Sequence, residues 1–170
     1  TYNYIKNINN TLNNSTITHL TNSVLTFSDL ITNRKTDYKF DLEKFTNVNG
    51  KTGIYIQYSQ VRAKKLIDTI DNHKEEIKEL ILNKTDKQLL SKLFLFSHYL
   101  EQSALLNEPH HLANYLYEIS NLFNQFYENE KLTSITDPNQ IASKLYIINL
   151  FLTTSHNTMF CLGIPPVDEM

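Results

Sequence analysis

Cysteine is almost absent from these 170 residues, glycine is scarce, and no long apolar run occurs. Each shortage closes off a class of function. A single cysteine, Cys161, can form no intrachain disulfide and no thiolate cluster for zinc, which points to a reducing, cytoplasmic compartment. Gly50, Gly53 and Gly163 are the only glycines. A phosphate-cradling loop needs several at one strand-to-helix turn, and Gly50-Lys51-Thr52-Gly53 lacks the Walker spacing, so a P-loop and a dinucleotide fingerprint are both rejected. No apolar stretch reaches membrane-spanning length, so no membrane partner is expected. No basic segment leads into an apolar one with a cleavage site, and no secretory leader is read.

What remains is an ordinary globular composition, 41% hydrophobic and 20% charged, long enough for one buried core. The formal net charge of -2 weighs mildly against a nucleic-acid partner, although phosphate affinity depends on local cationic patches and not on the sum. The chain begins at Thr1 without an initiator methionine, which reads as a piece of a longer protein.

Periodicity reads as nearly all helix, and the expected architecture is an all-α helical bundle. Residues 1–14 are polar and Asn-rich, a helix end or an ordered lead-in. Ile17, Leu20, Val24, Leu25 and Phe27 follow a helical period to Ile31. Residues 32–50 read as a loop with a short turn at Asp41–Lys44. A long helix over Thr52–Asp71 has Ile56, Ala63, Leu66, Ile67 and Ile70 on its apolar face. Lys74–Asn83 reads as a short helix with Ile77, Leu80 and Ile81 inward. Thr85-Asp86-Lys87-Gln88 has the pattern of a capping box, opening a helix to Leu106. Asn107 is expected to cap the next helix, with Pro109 in its first turn and Leu112, Tyr115, Leu116, Ile119, Leu122, Phe123 and Phe126 buried. Asp137-Pro138 opens the last helix, which Gly163 ends ahead of Pro165 and Pro166.

Three segments carry more than periodicity. Asp37 to Lys44, followed by Gly50-Lys51-Thr52-Gly53-Ile54-Tyr55-Ile56-Gln57-Tyr58-Ser59-Gln60-Val61-Arg62, resembles the arginyl-tRNA synthetase segment G-N-T-G-P-Y-L-Q-Y-A-H-A-R. Glu108-Pro109-His110-His111 through Tyr117-Glu118, continuing to Phe126-Tyr127, is similar to the central helix of that family's anticodon-binding domain. Leu162-Gly163-Ile164-Pro165-Pro166-Val167-Asp168-Glu169-Met170 is similar to its L-G-I-x-x-P-x-x-M ending. The order and spacing match from about Phe27 to Met170. Lys51, Ile54, Gln60 and Glu169 depart from the usual residues, and the last helix is bulkier and less basic.

The resemblance implies a C-terminal, DALR-type anticodon-binding domain over residues 36–170. Residues 1–35 would be a lead-in resembling the end of a catalytic domain, with Thr18 to Ile31 at the join. It implies arginine tRNA and the missing catalytic domain as partners, and no DNA. No cofactor is expected in this part, with ATP and magnesium used by the full ligase. The H-x-G-H signature and lysine-serine loop of class I synthetases are absent, so no catalytic residue is assigned.

Tyr55, Tyr58 and Arg62 fall at i, i+3 and i+7, one arc of a helix, and Lys65 extends it. Flat rings suit unpaired bases and cations suit phosphates. The resemblance adds the C-terminal tail, with Met170 and its carboxylate closing the pocket. The plainer alternative makes both tyrosines core-edge rings with wet hydroxyls. No metal site is expected, because adjacent His110 and His111 should point to different faces. Asn114, Asn121 and Asn124 line the central helix, as surface amides or as contacts to bases or phosphates. Two other classes stay open: the related bundle of another synthetase, and an interaction scaffold that has lost RNA binding.

Overall fold

The computed structural model describes residues 1–9, 11–70, 79–129 and 135–170, apart from the Ile70 side chain. All regular structure among them is helical: α1 (Tyr2–Ile8), α2 (Asn14–Leu30), α3 (Leu42–Phe45), α4 (Gly53–Ile70), α5 (Lys84–Leu93), α6 (Phe96–Leu106), α7 (His110–Asn129) and α8 (Pro138–Cys161). No described helix is long and apolar enough to cross a membrane.

Helix α4 is the axis of the bundle, packed against α2, α7 and α8. It is buried more widely than its expected apolar stripe: Ile54, Gln57, Ser59, Gln60 and Val61 are buried along with Ile56 and Ala63. Close approach to α2 depends on Gly53, where a Cβ would lie 2.2 Å from the Ser23 carbonyl oxygen. The main core joins Phe27 of α2 to Ile56, Leu116, Phe123 and Phe151, with the Phe123 and Phe151 rings stacked at 4.1 Å. A second cluster gathers Ile5, Leu20, Val24, Ile54 and Val167 around the C-terminal tail.

Local chemistry sets the helix ends. Asp137 accepts from the Asn139 N–H ahead of Pro138. At the other end of α8, Gly163 at φ 68° supports the paired bonds Ile164 N–H to Met159 O and Gly163 N–H to Phe160 O. That is a Schellman termination, and the left-handed residue suits glycine.

Several expectations need correction. The capping box is real but starts two residues earlier, with Asn83 as the cap and Asp86 as its reciprocal partner. The helix it opens stops at Leu93, and α6 follows after Phe94 and Leu95, both exposed. Asn107 does not cap α7; it closes α6 in the left-handed conformation, φ 51°. Leu25 and, at the end of the expected Lys74–Asn83 helix, Leu80 and Ile81 are exposed. Glu79–Asn83 is not helical; residues 71–78, with Ile77, lie outside the described part. Leu122 is only partly buried, while the rest of its expected stripe is buried.

A salt bridge lies inside the bundle. The Lys144 ammonium contacts both Asp86 carboxylate oxygens, at 2.8 and 2.7 Å, and both side chains are 1% exposed or less. Asp86 also accepts the Asn83 N–H at 2.8 Å.

Candidate nucleic-acid interface

The helical arc of α4 meets a stripe of α7 and the end of the chain. Arg62 is the hub. Its guanidinium carbon lies 4.1 Å from the Tyr58 ring centroid and 4.7 Å from that of Tyr127. It donates to the Tyr58 hydroxyl at 2.8 Å and to Asn124 Oδ1 at 3.2 Å. Asn124 is in turn fixed, donating to Ser59 Oγ at 2.8 Å. Glu128 approaches at 4.0 Å. A planar cation held against two rings and two oxygens locks the Tyr58 rotamer, while Tyr58 keeps 37% of its surface exposed.

That exposed ring and Met170 line one cavity of about 230 Å³, walled by Ile5, Leu20, Val48 and Ile54. Tyr55 takes another environment. It is half-buried, its ring 5.6 Å from Tyr117, its hydroxyl donating to Asn121 Oδ1 at 3.3 Å. Burial pushes its phenol pKa up. Lys65 is exposed one turn beyond Arg62, its ammonium without a partner among the described residues. Thus Tyr58 meets Arg62 and shares a cavity with Met170, Arg62 itself lies outside that cavity, Tyr55 turns into the α4–α7 seam, and Lys65 stands apart.

Sequence reasoning missed the residue that brings the tail there. Gln57 is wholly buried. Its amide donates to Ser23 Oγ at 2.7 Å and to the Pro165 carbonyl at 2.6 Å, and its Oε1 accepts the Val167 N–H at 3.1 Å. Val167, unlike the two prolines before it, has an N–H to give. Lys64 pairs with Asp168 at 2.6 Å, which holds that carboxyl below its usual range. Asn13 donates to Glu169 at 3.0 Å, and His19 Nδ1 lies 3.2 Å from the Pro166 carbonyl. The packing of Tyr127 and Asn124 on Arg62 was not readable either, since Arg62 lies about sixty residues away in the chain. Asn124, expected as a surface amide or an RNA contact, is buried and bonded to Arg62 and Ser59.

The two histidines do not diverge as expected. Their ring centroids are 4.1 Å apart, and donor atoms of Glu108, His110 and His111 lie within 4.8 Å of one another. The Glu108 carboxylate is already engaged by Lys35 and His111, each at 3.2 Å, and Lys35 above all holds its pKa down. The cluster reads as an ion-paired clasp between the α6–α7 turn and the segment after α2.

An all-helical bundle presenting a locked tyrosine beside an apolar cavity has close relatives. The DALR anticodon binding domain family model matches residues 56–170. Over 131 residues the chain is 35% identical to an arginine–tRNA ligase of Francisella tularensis subsp. novicida (strain U112), covering 72% of this chain and 22% of that protein. Over 139 residues it is 31% identical to the arginine–tRNA ligase of Streptomyces coelicolor, covering 81% and 24%. The fold is shared with arginyl-tRNA synthetase of Thermus thermophilus, at TM-score 0.85 and 19% identity over 99% of this chain and 30% of that one. For the Plasmodium falciparum enzyme the values are 0.81 and 24%, over 99% and 30%. The chain belongs to the DALR anticodon binding domain family. It is homologous to the C-terminal region of arginyl-tRNA synthetases and spans 22–24% of the length of these two ligases.

Proposed function

We propose that this chain reads the anticodon of arginine tRNA, as the RNA-binding part of an arginine–tRNA ligase whose catalytic domain lies elsewhere in the protein. The supporting observation is the Tyr58 ring, held by Arg62 and facing the cavity that Met170 closes. An unpaired base entering that cavity meets a ring whose rotamer is already fixed, so little side-chain entropy remains to be lost. Tyr55 supports the ring layer from the seam, and Lys65 and Arg62 supply positive charge for the backbone. Met170 offers a polarizable apolar wall.

In the full ligase, ATP and magnesium would serve arginine activation. At Gly53 the backbone offers no open face to such a group, because a Cβ there would already lie 2.2 Å from the Ser23 carbonyl oxygen of α2. Residues 1–35 would join the two domains, with α2 packed along α4 to fix their relation. The reading places the protein in the cytoplasm.

Binding of arginine tRNA to the Tyr58→Ala chain tests the assignment. One stacked base is worth about 1–3 kcal/mol, so affinity should fall roughly 5- to 150-fold. Unchanged affinity would remove Tyr58 from the site.

A further inference from the structure

The end of α3 at Phe45 and the loop over residues 46–49 form a wall between two cavities. Thr46 and Val48 line the Tyr58 side, whereas Phe45, Asn47 and Asn49 line a cavity of about 720 Å³ on the other side. Successive side chains alternate across the wall, so whatever lies over it touches both compartments.

The larger cavity has a consistent chemistry. Lys39, Lys44 and Lys51 line it, together with the amides of Asn47, Asn49 and Asn114, and no carboxylate is among its lining residues. None of the three lysines forms an ion pair among the described residues, in a chain whose net charge is -2. Lys51 is held in place: it donates to Asn114 Oδ1 at 3.1 Å, and its ammonium lies 5.3 Å from the Tyr117 ring centroid. Of the carboxylates in the neighbouring segments, Asp37 and Glu43 are exposed and form no ion pair with these lysines, and three others are engaged elsewhere. Asp29 accepts from the Tyr38 hydroxyl at 3.1 Å, Asp41 from the Lys44 N–H at 3.1 Å, and Glu108 pairs with Lys35. The seam Lys51–Tyr117–Tyr55–Asn121 then runs along α4 and α7 from this cavity towards Arg62.

We propose that this lysine-lined cavity holds backbone phosphates of the RNA segment adjoining the nucleotide in the Tyr58 pocket. The inference rests on the anticodon reading above and adds a second compartment to it. Ammonium and amide donors match phosphate oxygens, and such contacts set register without reading sequence. The wall would separate the two tasks: a base is recognised on one side and its strand is gripped on the other.

The test compares the unsubstituted chain with a Lys39→Gln, Lys44→Gln, Lys51→Gln variant. Affinities are measured from low to moderate salt for arginine tRNA and for the same transcript with a substituted anticodon. The variant should weaken both RNAs by the same factor, leave the preference between them intact, and lower the slope of log affinity against log salt by ~2, at about 0.7 per phosphate contact on single strands. Lys51→Arg alone should keep the original slope. An unchanged slope in the triple variant, or a loss confined to one RNA, overturns the cavity assignment alone. If the unsubstituted chain binds both RNAs equally, or neither, the anticodon reading fails and this proposal goes with it.

Discussion

Replacing Gln57 with leucine should detach the C-terminal tail while leaving the bundle folded. The substitution keeps roughly the same volume but removes three hydrogen bonds. Ser23 loses little, because its hydroxyl also donates to the His19 carbonyl at 2.8 Å. The Pro165 carbonyl and the buried Val167 N–H are left without the partner they had. Two such groups at about 1–3 kcal/mol each give roughly 2–6 kcal/mol against the docked tail. What still holds it is the burial of Ile164 and Val167, the Ile164 N–H to Met159 O bond, the exposed contacts of Asn13 with Glu169 and His19 with the Pro166 carbonyl, and the Lys64–Asp168 pair, whose Asp168 side chain is 94% exposed. An exposed pair contributes about 0–1 kcal/mol, so it cannot compensate. Hydrogen exchange at the Ile164 and Val167 amides, bonded to Met159 O and Gln57 Oε1, reads the outcome. A cost of ~3 kcal/mol raises their opening more than about a hundredfold, with α7 amides such as Phe123 unaffected. Tail protection equal to that of the unsubstituted chain would refute the latch.

Three further outcomes follow from the packing and the charges. Gly53→Ala pushes a methyl into the Ser23 main chain, and chemical denaturation should show a loss at or above the usual 1–3 kcal/mol of overpacking, about 2 kcal/mol or more. Lys144→Met strands Asp86 in the interior at a cost of about 3–5 kcal/mol, and adding Asp86→Asn should recover part of it in a double-mutant cycle. Burial holds His156 and His110 below the ordinary histidine pKa, assisted by Lys64 and His111 respectively. The unfolded chain therefore binds more protons just below about pH 6.5, so the urea midpoint should fall as pH drops through that region towards the folded values. The depressed Asp168 and Glu108 carboxyls extend the fall below about pH 4, and His156→Gln should flatten the upper part.

How much of this was legible in the sequence depends on the range of the forces involved. The start and stop of α8 were readable, since Asp137, Pro138 and Gly163 act on backbone groups within a few residues. The arc of Tyr55, Tyr58 and Arg62 was readable because helical geometry alone puts them on one side. The break at Phe94–Leu95 was not, because two exposed apolar residues continue a periodic pattern that the backbone abandons. Asn107 was misjudged because asparagine suits both an N-cap and a left-handed helix end, and only φ distinguishes them. Gln57 looked like one polar residue in a motif; its partners are 34 to 110 positions away, and only the folded bundle brings them together. The opposite fates of Tyr55 and Tyr58 were likewise set by distant segments: α7 takes Tyr55 through Tyr117 and Asn121, whereas Tyr58 lines a cavity with α1, α2 and the tail.

The most direct measurement is the affinity of the unsubstituted chain for arginine tRNA relative to the same tRNA with its anticodon replaced, repeated with Tyr58→Ala. The account predicts a clear preference for the native anticodon that shrinks towards parity when the Tyr58 ring is removed. Equal affinity for both RNAs before substitution, or a preference that survives loss of that ring, would contradict it.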